Sequence, residues 1–189
     1  MNDQRNKQVK NRIIWLTISV AIIVFDQISK WAVMEKVMRP KATGESGYGF
    51  FEWYQTTPSI VPFSYIEISS FFNLVMAWNT GVSFSMFSNQ GEYMPYILIA
   101  VALCITIAFT AWLWNTTSHI QGVSYALIIG GALGNILDRS RFGAVIDFLD
   151  FHIFGYHWPA FNIADISVVT GICLLIIVSL FFDVDRKDL

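Results

Sequence analysis

Four aspartates fall within one short stretch of an otherwise apolar chain. Residues 130–165 read GGALGNILDRSRFGAVIDFLDFHIFGYHWPAFNIAD and hold Asp138, Arg139, Arg141, Asp147, Asp150 and Asp165. An ionisable group in or beside a membrane span costs about 2.5 kcal/mol or more unless it is paired, wetted or put to use. Two carboxylates at one membrane depth could share a proton, because close like charges cannot both ionise. One then acts as base on a water while its partner donates a proton, and the two titrate as a unit.

Spacing alone leaves Asp138, Asp147 and Asp165 in competition for such a pair. The plainer alternative is that each acid pairs with Arg139 or Arg141, or faces water. Asp165 is the strongest single candidate, since Asn162 and Asp165 set an amide and an acid three apart at the start of an apolar helix. The helix N-terminus favours the ionised acid, whereas apolar surroundings favour the neutral one. A simple N-terminal cap would also account for it. Asp150, among Phe148, Leu149 and Phe151, reads as a solvated loop acid, and His152 and His157 read as interfacial residues.

Other chemistries find no support. The sequence has no HExxH, G-x-S-x-G, Walker or GxGxxG pattern, so a metal site would have to borrow aspartates and no cofactor is expected. No basic block suggests nucleic acid.

The elements that must hold these acids are membrane spans. Of 189 residues, 54% are apolar and 14% charged, and the mean hydropathy is +0.51. A soluble domain averages about 25% charged residues. Four spans are expected, over residues 13–34, 93–114, 118–138 and 159–182, each near the roughly 20 residues a bilayer requires. Residues 1–12 read as a polar, frayed start. No small-residue cleavage site follows the first apolar run, so it is read as an uncleaved span. Asp26 and Lys30 sit near its far end, four apart with the acid first, the better-oriented helical ion pair. Trp31 suits an interfacial anchor. In the third span, Gly130 and Gly134 give the small-xxx-small spacing that lets backbones approach closely. Cys104 and Cys173 lie in apolar runs and read as small hydrophobes.

Residues 39–63 are rich in Gly, Pro, Ser and aromatics without a clear period, and read as a loop. Residues 65–87 are β-branched and aromatic, with partial alternation and a turn at Asn79-Thr80-Gly81, and read as a short extramembrane sheet. Residues 138–158 read as an acidic, aromatic link. The chain is thus expected to be one mainly α membrane domain, residues 1–189, with a loop and small β-sheet over about 39–90 between its first two spans. Four spans place both termini on one side. Six basic residues lie on that side and six on the other. The tie breaks towards termini inside if Lys30 and Arg139 are held by functional contacts.

Five ordered blocks resemble bacterial lipoprotein signal peptidase, or signal peptidase II. They are Asp26-Gln27-Ile28-Ser29-Lys30, Trp78-Asn79-Thr80-Gly81-Val82-Ser83-Phe84, Gly134-Asn135-Ile136-Leu137-Asp138-Arg139, Gly143-Ala144-Val145-Ile146-Asp147-Phe148 and Phe161-Asn162-Ile163-Ala164-Asp165. The resemblance covers most of the chain. It implies a bacterial inner-membrane aspartic endopeptidase with cytoplasmic termini, a periplasmic β-cradle and an active site towards the periplasm. Such an enzyme removes the signal peptide of prolipoproteins just before a diacylglyceryl-modified cysteine. It works without a metal and is blocked by globomycin-type cyclic peptides. The resemblance selects Asp147 and Asp165 as the catalytic dyad, with Asn135, Asp138 and Arg139 as supports and Asn162 as a polar site residue. Asn79 and Gly81 belong to the sheet closing over substrate, and Asp26 and Lys30 line the site from the first span. The expected partners are diacylglyceryl-prolipoproteins and membrane lipid, with the chain acting as a monomer.

One departure from the family pattern stands out: the stretch between Lys30 and the Asn79 block is longer than usual, with the excess in residues 39–63. Two other function classes are weighed against the peptidase: a proton-coupled carrier using the same acids as a relay, and a non-catalytic scaffold. The clustering of the acids at one membrane face opposes the carrier.

Overall fold

The computed structural model describes residues 2–81 and 93–181. Val82, Ser83 and Phe84 of the second block, the rest of the expected strand region to Phe87, and the polar tail lie outside the described residues.

Helix α1 spans Asn2–Trp31, so the polar start is helical rather than frayed. It runs directly into a π-helical stretch, Ala32–Met38, and a short helix α2, Arg39–Thr43. Pro40 explains the wider winding, because it has no N–H to return to a carbonyl in the preceding turn. Arg39 N–H reaches back to the carbonyl of Met34 instead. Gly44, at φ +76°, stops the helix and donates to the Pro40 carbonyl at 3.0 Å.

The expected loop at residues 39–63 is therefore structured, with α2 followed by α3, Phe50–Thr56. Its anchor is Trp53, fully buried in a cluster with Met34, Met38, Val61, Met76, Ile146 and Phe148. Beneath it, Arg39 makes a two-pronged contact with buried Glu35 (2.6 and 3.0 Å) and donates to Ser59. Trp31 donates its indole N–H to the Tyr48 carbonyl at 3.1 Å, so it is tied to this insert.

Three further helices follow: α4, Met94–Asn115, α5, His119–Phe142, and α6, Ile163–Phe181. Four helices, including the long one from α1 to α2, are long and apolar enough to cross a membrane. Helix α5 is central and packs against α1, α4 and α6. Half of its most apolar window is buried, against 11% for α4. Small residues make this possible. A side chain on Gly130 would strike the backbone of Ser19 in α1, and one on Gly131 would clash with the Ala164 carbonyl in α6. Cys104 and Cys173 are free and exposed on the outer faces of α4 and α6.

A four-stranded antiparallel sheet caps one end, in the order β1 (Tyr65–Ser69), β2 (Phe72–Asn79), β3 (Val145–Ile153), β4 (Tyr156–His157). The first two strands come from the expected region between the first two spans. The other two come from residues 138–158, read in the sequence as a link. β3 therefore ties the sheet to the ends of α5 and α6.

Candidate active site

Three constraints bring the acids together. First, α5 ends at Gly143, whose φ of +71° lets the chain reverse into β3. Second, Asp138 on the last turns of α5 accepts the Ile146 N–H at 3.2 Å, which fixes where β3 begins. Third, Phe161 exchanges backbone hydrogen bonds with Leu149 of β3, at 2.9 and 3.1 Å. That last pairing places Asn162 beside Asp147, one residue before α6 begins.

Asn162 is fully buried and touches both acids. Its side-chain N–H group donates to Asp147 Oδ1 at 2.7 Å. Its backbone N–H donates to Asp165 Oδ2 at 3.1 Å, and its side-chain oxygen accepts the Asp165 N–H at 3.0 Å. Asn162 and Asp165 thus form a reciprocal capping box at the start of α6, which satisfies two otherwise orphan donors. The capping role weighed for Asp165 is realised, and it leaves Oδ1 available. That oxygen accepts Asn135 Nδ2 at 2.8 Å.

Asp147 is 2% exposed, and its second oxygen accepts Asn79 Nδ2 at 2.9 Å. Gly81, at φ +78°, donates its N–H to Asn79 Oδ1 at 2.8 Å, which turns the amide so that its NH2 faces Asp147. Burial, and then the charge of Asp165, push Asp147 up to about 7 against the pull of the Asn79 and Asn162 donors. Asp147 therefore titrates near neutral pH, the range in which a carboxyl can serve as a general acid. Asp165 is half-buried and Asp147 buried, so water reaches the former more readily.

Below the pair lies a dry ionic knot. Lys30 Nζ is 2.7 Å from Asp26 and 2.8 Å from Asp138, with all three side chains fully buried. Its remaining contact is Asn135 Oδ1 at 3.2 Å, which leaves the Asn135 NH2 to face Asp165. Asp26 Oδ1 accepts the Ala164 N–H at 3.0 Å at the start of α6. The i,i+4 pair expected between Asp26 and Lys30 is present, and Asp138 joins it.

Neither arginine neutralises the acids. Among the described residues Arg139 forms no ion pair; it acts on Asp165, Asp147 and Asp138 only through space. Arg141 stacks on Trp53, Tyr54 and Phe142 and donates to the Trp53 carbonyl at 2.6 Å.

Two features went unread in the sequence. Gln27 donates to Asp138 Oδ1 at 2.8 Å, its signal being a buried amide one residue from Asp26. Asp150 is not a solvated acid: it is 6% exposed and bonded to Asn73 at 2.8 Å and to His157 at 2.9 Å. Burial opposes its ionisation, but the Asn73 and His157 hydrogen bonds prevail and hold it below the usual carboxylate range. Asn73 lies 77 residues away, beyond the reach of any local pattern.

Fold and site together define a four-span membrane protein that holds two carboxylates, one buried and one half-buried, where the spans meet a β-sheet. The signal peptidase II family model matches residues 18–181, and the chain belongs to that family. It is 35% identical to the lipoprotein signal peptidase of Serratia marcescens over 165 residues, 87% of this chain and 84% of that protein. It is 38% identical to the enzyme of that name from Ralstonia nicotianae, over 86% of this chain and 82% of that protein. Similarity to the Aeromonas hydrophila enzyme is 35% over 89% of each chain. Two solved structures of bacterial membrane enzymes, obtained by the in meso method, superpose with TM-scores of 0.65 at 28% identity. They cover 93% and 90% of this chain, and the match spans 92% and 94% of theirs.

Proposed function

We propose that this peptidase removes the signal peptide of diacylglyceryl-modified prolipoproteins, cutting just before the lipidated cysteine, with Asp147 and Asp165 as its catalytic dyad. The observation that carries this reading is the pair itself, two carboxylates bridged by Asn162, with Asp147 pushed up to about 7.

In this mechanism Asp147 holds the proton and Asp165 is the base. Asp165, open to water, takes a proton from the attacking water. Asp147 donates towards the oxygen of the scissile carbonyl, where negative charge develops. The proton gained by Asp165 then passes to the leaving amine. Asn135 and Asn162 hold Asp165, while Asn79 and Asn162 hold Asp147. Asp26, Lys30 and Asp138 fix the start of α6 relative to α5, and Arg139 contributes its charge to the same site. Gly81 orients Asn79.

The signal helix enters from lipid, and the enzyme sits in the bacterial inner membrane as a monomer with cytoplasmic termini. Lys30 is held by two carboxylates, which leaves six basic residues on the terminal side against five on the other. That asymmetry supports the orientation.

The test is cleavage of a diacylglyceryl-cysteine lipopeptide by purified protein in detergent, with and without globomycin. Asp147→Asn and Asp165→Asn should each abolish cleavage and leave a folded protein. Retained cleavage in either variant defeats the dyad assignment. A proton leak lost in Asp165→Asn, with no cleavage by the unaltered protein, would point to a carrier instead.

A further inference from the structure

We propose that the sheet beyond Asp147 holds the third residue of the mature chain in a pocket that prefers a basic side chain to an acidic one. The proposal rests on the peptidase reading above and adds a specificity to it.

Residues directly opposed on neighbouring strands project from the same face of a sheet. Ala77 opposes Asp147, Asn73 opposes Asp150, and Glu67 opposes Asn73. Glu67, Asn73, Ala77 and Asp150 all line one pocket of about 660 Å³, walled on its far side by His157 and Trp158. Its floor thus runs from Ala77, the strand partner of Asp147, to a row of three polar side chains across β1, β2 and β3.

The direction follows from the connectivity. β3 begins just after α5, so Asp150 lies three residues farther along the chain from that span than Asp147. A signal helix lies back in lipid, and the mature chain is the part that continues outwards. Asp150 lies three residues beyond Asp147, at most about 10 Å at 3.3 Å per residue, across an irregularity where the Phe148 and Leu149 N–H groups both donate to the Phe161 carbonyl. An extended substrate covers the same distance in three residues after the scissile bond, counting the cysteine as the first.

The charge of the pocket sets its preference. Among the described residues its lining includes two carboxylates and two imidazoles but neither Lys nor Arg. Both Asp150 oxygens are engaged by Asn73 and His157. Glu67 is exposed and, among the described residues, forms no ion pair, although Lys41 shares an adjoining groove with it. It is the free charge an incoming side chain meets. Tyr65 and Trp158, 56% and 63% exposed at the rim, offer aromatic surface to the aliphatic stem and charged head of Lys or Arg. An Asp or Glu side chain meets the like charge of Glu67 instead.

The experiment compares diacylglyceryl-cysteine lipopeptides that differ only in the third mature residue, Lys against Asp, with the full chain in detergent. The kcat/KM ratio should favour Lys about five-fold, as expected for one partly screened charge pair. Glu67→Lys should invert that ratio, and Glu67→Gln should bring it close to one. Moving the charge to the sixth mature residue, about 20 Å from the dyad at strand spacing, should remove the discrimination. The ratio corrects for any general loss of activity in the variants. A ratio unchanged by Glu67→Lys, or equally large at the sixth residue, overturns the subsite and leaves the peptidase standing. Failure to cleave any of the peptides removes the reading on which the subsite depends.

Discussion

Lys30→Met tests how far the buried ionic knot supports both fold and site. The ammonium group lies 2.7 and 2.8 Å from Asp26 and Asp138, and none of the three side chains is exposed. Removing the cation leaves two carboxylates facing each other in a dry interior. Breaking a buried pair from one side costs about 3–5 kcal/mol, chiefly because the charge left behind has no partner. Total stabilities of folded proteins are commonly about 5–15 kcal/mol, so the loss should be plain in equilibrium unfolding followed in detergent. The diagnostic comparison is the triple variant Lys30→Met/Asp26→Asn/Asp138→Asn. It deletes every charge of the knot and should be clearly more stable than the single variant, because no uncompensated charge remains. Lipopeptide cleavage should fall in both, since Asn135 loses the Lys30 donor that orients it towards Asp165. A single variant that loses less than about 1 kcal/mol, or a triple variant less stable than the single, would refute the reasoning.

Three other outcomes follow from the same geometry. kcat/KM should fall as pH rises through about 7, where Asp147 gives up its proton. Asn79→Ala removes a donor that favours the charged form, so it should move that alkaline limb upwards by about one pH unit; a downward move or none contradicts the assignment. The stability of the protein carries the same sign. A carboxyl raised in the folded state is protonated there while the unfolded chain is ionised, so its contribution is present at acid pH and lost as pH climbs from about 4 towards 7. Asp147→Asn should flatten that part of the pH–stability curve. Finally, Gly131→Ala should force α5 from α6 at the Ala164 carbonyl and cost about 1–3 kcal/mol together with activity. Gly49→Ala, with open space around it, should change stability by only a few tenths of a kcal/mol.

Much of the architecture was legible before any coordinates. Hydropathy marks the four spans because a bilayer leaves a helix few alternatives to burying its backbone polar groups internally. The Asp26–Lys30 pair was readable from helical spacing, and the small residues of α5 from their need for close approach. The helical insert and β3 were not. Trp53, Val61 and Met76 share a core with Met34 and Ile146, contacts spread across the chain that no local period announces. β3 lacks clean alternation because Asp147 and Asp150 occupy positions where an ordinary strand would bury apolar side chains.

By itself, then, the amino-acid sequence determined a four-span membrane protein with costly acids gathered at one membrane face, and its motif blocks pointed to the family. Spacing left Asp138, Asp147 and Asp165 as rivals, because a count along the chain cannot say which carboxylate meets a cation and which meets another acid. The family resemblance chose Asp147 and Asp165 among them, and the tertiary structure shows what physically distinguishes the three. It put Asp138 against Lys30 and the Ile146 N–H, where a fixed charge is satisfied. It put Asp147 and Asp165 on either side of Asn162, where burial and the neighbouring charge push Asp147 up to about 7. The same packing turned Asp150 from an incidental acid into the partner of His157 and Asn73. The physical reason is common to all four: a carboxylate's chemistry is set by its neighbours in space, and those neighbours come from elements far apart in the chain.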